Sequence, residues 1–110
     1  IEQEKDERKY RQINPRLQGT EISKLIEEFQ GFRTRILIIN PGQCYPIHSD
    51  DDRKIHIPIH TNRQNWMIWP EDNHCAHLEL AKIYRTDTRR PHTFINCGKE
   101  PRIHIVICVD

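Results

Sequence analysis

Apolar residues change period once along this chain. Ile22, Leu25, Ile26 and Phe29 recur at i, i+3, i+4 and i+7, which predicts one apolar stripe on a short helix. Thr20 suits the N-cap, Glu21 suits the positive end of the helix dipole, and Gly31 suits the stop. From residue 33 onward the period is two, broken by turn residues. Strands are predicted over 33–39, 45–50, 54–60, 65–69, 78–84, 92–96 and 102–109. Asn40-Pro41-Gly42 marks a turn after the first, and the segment from Cys97 to Pro101 reads as a hairpin joining the last two. Many short strands after one helix predict a mainly β protein, either a small barrel or a double-sheet roll.

Two strands carry polar residues on one whole face. In 54–60 the isoleucines alternate with Lys54, His56, Pro58 and His60, and this second face is not expected simply to meet solvent. Pro58 removes a ladder hydrogen bond and predicts an edge or a bulge. In 102–109 the residues Ile103, Ile105, Ile107 and Val109 share one face, while Arg102, His104, Val106 and Cys108 share the other.

A chain of 110 residues suits one domain, with a charged N-terminal segment and helix (1–32) packing on a β core (33–110). The formal net charge of +1 provides no global field for nucleic acid or an anionic membrane. No apolar run reaches the roughly 20 residues of a membrane helix, and the charged N-terminus is unlike a signal peptide, so a soluble cytoplasmic protein is expected. Cys44, Cys75, Cys97 and Cys108 contain no Cys-x-x-Cys pair and are expected to be reduced and structural. Trp66, Trp69 and Phe94 are expected to pack rather than to bind substrate.

Seven histidines are many for this length, and three positions suggest chemistry. In an extended segment His48 and Asp50 point the same way, and a rolled sheet can bring His92 to the same point. Two imidazoles and a carboxylate occupy one face of an octahedral ferrous ion and leave three positions open. Taken alone, His48-Ser49-Asp50 reads equally as a solvated turn leading into Asp51 and Asp52. Arg102, in an Ile/Val-rich strand, either meets a buried anion through two parallel hydrogen bonds or lies in solvent beside Pro101. His74, Cys75 and His77 form at most a surface metal trap, the mark of an interaction domain without catalysis.

In combination, His48-Ser49-Asp50, the stretch from Arg53 to Asn62, the run from Pro91 to Asn96, and Arg102-Ile103-His104-Ile105-Val106 resemble the aspartyl/asparaginyl β-hydroxylase family. These are Fe(II)- and 2-oxoglutarate-dependent oxygenases and include free-proline hydroxylases. The resemblance spans residues 33–110 and implies a double-stranded β-helix, also called a jelly roll or cupin-like barrel. It implies His48, Asp50 and His92 as iron ligands and Arg102 as the anchor of the distal carboxylate of 2-oxoglutarate. By the same resemblance His56 and Lys54 contact the carboxylate nearest the metal, Asn62 and Asn96 shape the site, and His104 lines the same cavity. Asp50 places the chain nearer the bacterial and viral type. The implied reaction consumes O2 and 2-oxoglutarate, hydroxylates a C–H bond of an amino acid or residue, and releases succinate and CO2. A small molecule or a peptide is the expected partner. The competing reading is a cupin-like module that holds a metal or small acid without oxidising anything.

Overall fold

The computed structural model describes residues 21–110; the charged segment before them and the proposed Thr20 cap lie outside the described residues. Helix α1 (Glu21–Glu28) is followed by β1 (Phe32–Ile39), β2 (Arg53–His60), β3 (Asn65–Trp69), β4 (His74–Ala76), β5 (Tyr84–Thr86), β6 (Thr93–Asn96) and β7 (Arg102–Val109). They form two antiparallel sheets, one ordered β1-β7-β2-β5 and the other β4-β3-β6. The mainly β expectation holds, as does the short N-terminal helix.

The sheet faces divide the apolar residues into two cores. On the outer face of the larger sheet, Ile55, Ile105, Ile107 and Val109 bury against Ile26 of α1, with Ile22 and Phe29 beside it. This is the stripe that the helical spacing predicts. Between the sheets, Ile39 of β1 meets Met67, Trp69, Leu78 and Phe94. Much of the remaining inner face of β2 and β7 is polar, with Lys54, His56, Arg102 and His104 all buried there beside Val106 and Cys108. The alternation in β2 thus separates two interiors and not an interior from solvent. Pro58 sits beside a register shift against β7, as a proline inside a ladder requires.

Four local expectations fail. Residues 97–101 are not a hairpin, because β6 and β7 lie in different sheets. The Asn96 side chain pins this crossover, donating from Nδ2 to Ile39 O at 2.9 Å and Glu100 O at 2.8 Å while Oδ1 accepts from Gly98 N–H at 2.9 Å. The expected strand over 78–84 is a turn. Ala81 takes φ 63° and donates to Pro58 O at 2.9 Å, which leaves Leu80 and Ile83 outside the core. The four cysteines are free, but Cys44, Cys75 and Cys97 are exposed, so a buried structural role fits Cys108 alone. Trp66 is 39% exposed and stands edge-on to His77, unlike the buried Trp69 and Phe94.

The helix ends one residue earlier than the glycine suggests. Gln30 takes the left-handed conformation (φ 51°), and Gly31 N–H bonds Ile26 O at 2.7 Å, the long closing bond of a Schellman motif. Gly31 is needed for close approach: a Cβ there would lie well inside contact distance of Ile107 Cγ2, a fully buried branched side chain. Gly31→Ala is expected to destabilise the protein by about 1–3 kcal/mol through overpacking. Chemical denaturation tests this, and Gly31→Ala combined with Ile107→Ala should recover less than additive loss.

Candidate metal centre

After β1 the chain turns through Gly42 (φ 78°), whose N–H bonds Asn96 O at 2.8 Å, and runs beside β6. The expected strand over 45–50 is only isolated bridges, since Pro46 has no N–H to donate and Asp50 N–H leaves the ladder for Thr88 O at 2.9 Å. Two contacts keep it in place nonetheless. Tyr45 N–H donates to Phe94 O at 3.1 Å, and the Thr93 hydroxyl donates to Tyr45 O. Then His48 and His92 exchange both backbone bonds, N–H to O at 3.0 and 2.9 Å. A reciprocal pair is directly opposed, so its two side chains leave the same face of the ladder. Their rings stand 4.5 Å apart, and Asp50, two residues on, joins them.

Asp50 lies between the two imidazoles. Its Oδ1 is 3.6 Å from His48 Nε2 and its Oδ2 is 3.6 Å from His92 Nε2. One donor atom from each of the three residues falls within 4.8 Å of the others, and no second such group occurs among the described residues. His74, Cys75 and His77 therefore make no trap; His77 Nδ1 pairs with Asn65 O and His74 stacks on Trp69. His48 Nδ1 lies 2.8 Å from Pro46 O, and His92 Nδ1 lies 2.8 Å from Arg90 O. Each carbonyl, two residues upstream, can only accept, so each Nδ1 carries the proton and each Nε2 offers its lone pair to the shared point. Metal–ligand bonds of roughly 2.0–2.2 Å span such separations. The donor set and its outer hydrogen bonds fit a divalent metal.

No family model matches the sequence, and no curated protein matches it significantly. Solved structures do. A cupin domain from Bordetella pertussis Tohama I superposes with a TM-score of 0.60 at 17% identity, covering 70% of this chain and 79% of that one. A protein from Thermotoga maritima, described as a predicted oxalate decarboxylase, superposes with a TM-score of 0.58 at 10% identity, covering 79% and 72%. The chain has a cupin fold. This cupin fold, a double-stranded β-helix, carries a His/Asp/His group arranged to hold a metal.

The three side chains line a cavity of about 430 Å³ whose walls include Lys54, His56, Thr88, Phe94 and Val106. Lys54 Nζ stands 3.6 Å from Asp50 Oδ2 and partly offsets its charge. Arg102 is buried, the first of the two readings its sequence position left open, yet it does not line this cavity. Its guanidinium packs 4.8 Å from the centroid of the Phe94 ring and lines a separate space of about 10 Å³ with His104 and Asn65. Arg102 Nε and Nη2, His104 Nε2 and Asn65 Oδ1 are buried there without a hydrogen-bond partner, around a volume near that of one water. His104 thus shares a face with Arg102 but lines the small space and not the main cavity. Asn62 is brought to neither; its Oδ1 accepts from Gln64 N–H and Asn65 Nδ2, shaping the turn before β3.

Sequence reasoning missed Arg33, Arg35, Tyr45 and Thr88, all of which line the main cavity. Thr88 bonds Asp52 O at 2.6 Å and receives Asp50 N–H, so it positions the carboxylate ligand. Arg35 shares its parity with the inward Leu37 and Ile39, a signal hidden by the equally apolar but exposed Ile36 and Ile38.

Burial sets the charge state of the interior. His56 and His104 place their Nδ1 atoms 3.0 Å apart, so one donates and the other accepts, and both rings are neutral. Burial pushes His56 well below the usual histidine range, helped by His104 and Arg102, and pushes His104 to about 3. Burial likewise lowers His92, and it lowers Arg102 to about 10. Because the folded values lie below the unfolded value near 6.5, the unfolded chain binds more protons once pH falls through that value. Metal-free protein is therefore expected to lose up to about 1.4 kcal/mol per histidine for each pH unit below roughly 6.5. Denaturant titrations between pH 7.5 and 4.5 check this, and His104→Phe should flatten the slope. A slope unchanged in that variant would refute the assignment.

Proposed function

We propose that this cupin is an Fe(II)- and 2-oxoglutarate-dependent dioxygenase of the aspartyl/asparaginyl β-hydroxylase type, hydroxylating a C–H bond of an amino acid or an amino-acid residue. The observation that supports it is the convergence of His48 Nε2, Asp50 and His92 Nε2 on one side of a point that opens onto a ligand-sized cavity. Two histidines and one carboxylate with open positions are the ligand set of non-haem Fe(II) oxygenases. When bound there, iron and 2-oxoglutarate would supply the oxidative step, with O2 consumed and succinate and CO2 released.

The chain's own residues then have defined tasks. The backbone carbonyls of Pro46 and Arg90 keep the ligating Nε2 atoms unprotonated. Lys54, beside Asp50, offers a positive charge to a carboxylate near the metal, and the neutral His56 ring forms the adjacent wall. Phe94 and Val106 contribute apolar wall to the cavity. Arg102 is the candidate anchor for the far carboxylate: burying a guanidinium with two unpartnered nitrogens is costly unless an anion completes it. As placed, Arg102 lines a space separate from the cavity of the triad. That separation favours a second reading, a cupin module that binds a metal or small acid without oxidation.

The decisive experiment incubates the Fe(II)-loaded protein with 2-oxoglutarate, O2 and a broad panel of amino acids and peptides while following succinate. Production of succinate is expected, falling to background in Asp50→Ala and His92→Ala. In Arg102→Ala the 2-oxoglutarate requirement should rise at least about tenfold, the loss of a charge-assisted hydrogen bond. Binding of metal and 2-oxoglutarate with no succinate across the panel would select the non-catalytic module.

A further inference from the structure

Strand β1 brings a second arginine to the cavity by a backbone irregularity. Phe32 pairs with Cys108 and Arg35 with Val106, so β1 uses three steps where β7 uses two. The extra residue is a β-bulge, and Arg33 within it takes φ 46°, a left-handed conformation that costs a non-glycine residue roughly 1–2 kcal/mol. Because strand side chains alternate, one inserted residue reverses the facing of everything that follows. Without it Arg35, an odd number of residues from the inward Phe32, would face outward. With it, Arg35 lies opposite the inward Val106, and both arginines line the cavity that holds the triad.

Arg35 buries Nη1 there with no hydrogen-bond partner. Among the described residues the lining also includes Arg33, Lys54 and the carboxylate of Asp50. An unpartnered guanidinium nitrogen can donate a charge-assisted hydrogen bond to a carboxylate.

We propose that Arg35 is a ligand-binding residue that holds a carboxylate in the metal-facing cavity, so that the molecule acted on there carries a free carboxylate. The proposal rests on the metal-centre reading and refines its substrate class: a free amino acid or other small acid, or a residue whose own side chain is a carboxylate, held by that group, and not a neutral internal residue of a peptide. The same chemistry would also suit the far carboxylate of 2-oxoglutarate, in which case Arg35 and not Arg102 anchors the cosubstrate.

Calorimetry on Mn(II)-loaded protein separates these sources without turnover. The titrants are 2-oxoglutarate and, in its presence, a panel of free amino acids each paired with its amide. Wild type is expected to bind acids more tightly than their amides. Arg35→Gln should erase that preference, weakening acids at least about tenfold, with Arg35→Lys partly restoring it. If Arg35→Gln instead weakens 2-oxoglutarate and Arg102→Gln does not, the carboxylate is the cosubstrate's. Unchanged binding of every acid in Arg35→Gln would overturn the proposal, as would a wild type indifferent between acid and amide. Thermal unfolding of the ligand-free variants adds a readout that a structural role would move: Arg35→Gln should unfold no earlier than wild type. Failure of wild type to bind 2-oxoglutarate would sink the oxygenase reading alone, since the acid-against-amide comparison still reads Arg35.

Discussion

Two backbone hydrogen bonds between His48 and His92 are the constraint on which the site depends. They join an irregular loop to the start of β6, and their reciprocity makes the residues face one another with side chains on one side. Asp50 follows by strand parity, held by Thr88. The outer hydrogen bonds repeat the logic, because each imidazole is oriented by a carbonyl two residues before it. A candidate metal-binding face is thus assembled almost wholly from main-chain geometry, with three side chains placed where they could serve as ligands.

The cost of the arrangement lies in the inner face of the larger sheet. A sheet between two layers ordinarily turns apolar residues both ways, yet here the inner positions of β2 and β7 hold Lys54, His56, Arg102 and His104. The apolar packing that stabilises the fold is displaced to either side, under α1 on the outside and around Met67 and Trp69 at the far end of the sandwich. What is left between is a polar seam with several buried donors and acceptors without partners. Such groups are rare in folded proteins and concentrate where a ligand completes them. The left-handed Arg33 in the β1 bulge belongs to the same pattern of local strain beside a site.

Much of this was legible from residue order. The helical stripe of Ile22, Leu25, Ile26 and Phe29, the core strands β1, β2, β3, β6 and β7, the burial of the polar face of β2, and the grouping of His48, Asp50 and His92 all follow from periodicity and ligand chemistry. The errors cluster where long-range context overrides local pattern. Residues 97–101 have hairpin composition, but their strands belong to different sheets, and turn chemistry alone does not reveal which strand lies alongside. Leu80 and Ile83 look like strand residues, yet a turn tied to Pro58 holds them outside.

By itself the sequence determined which side chains can ligate, which are apolar, and the period at which each kind recurs, since these are properties of residues and near neighbours. Only the tertiary structure decided what shares a space. It packed Arg102 on the Phe94 ring outside the cavity of the triad, sent His104 and Asn65 to a separate small cavity, and kept Asn62 in a turn. It also turned Arg35 inward through one inserted residue, because strand parity is local while the register that sets its starting point is a contact with β7.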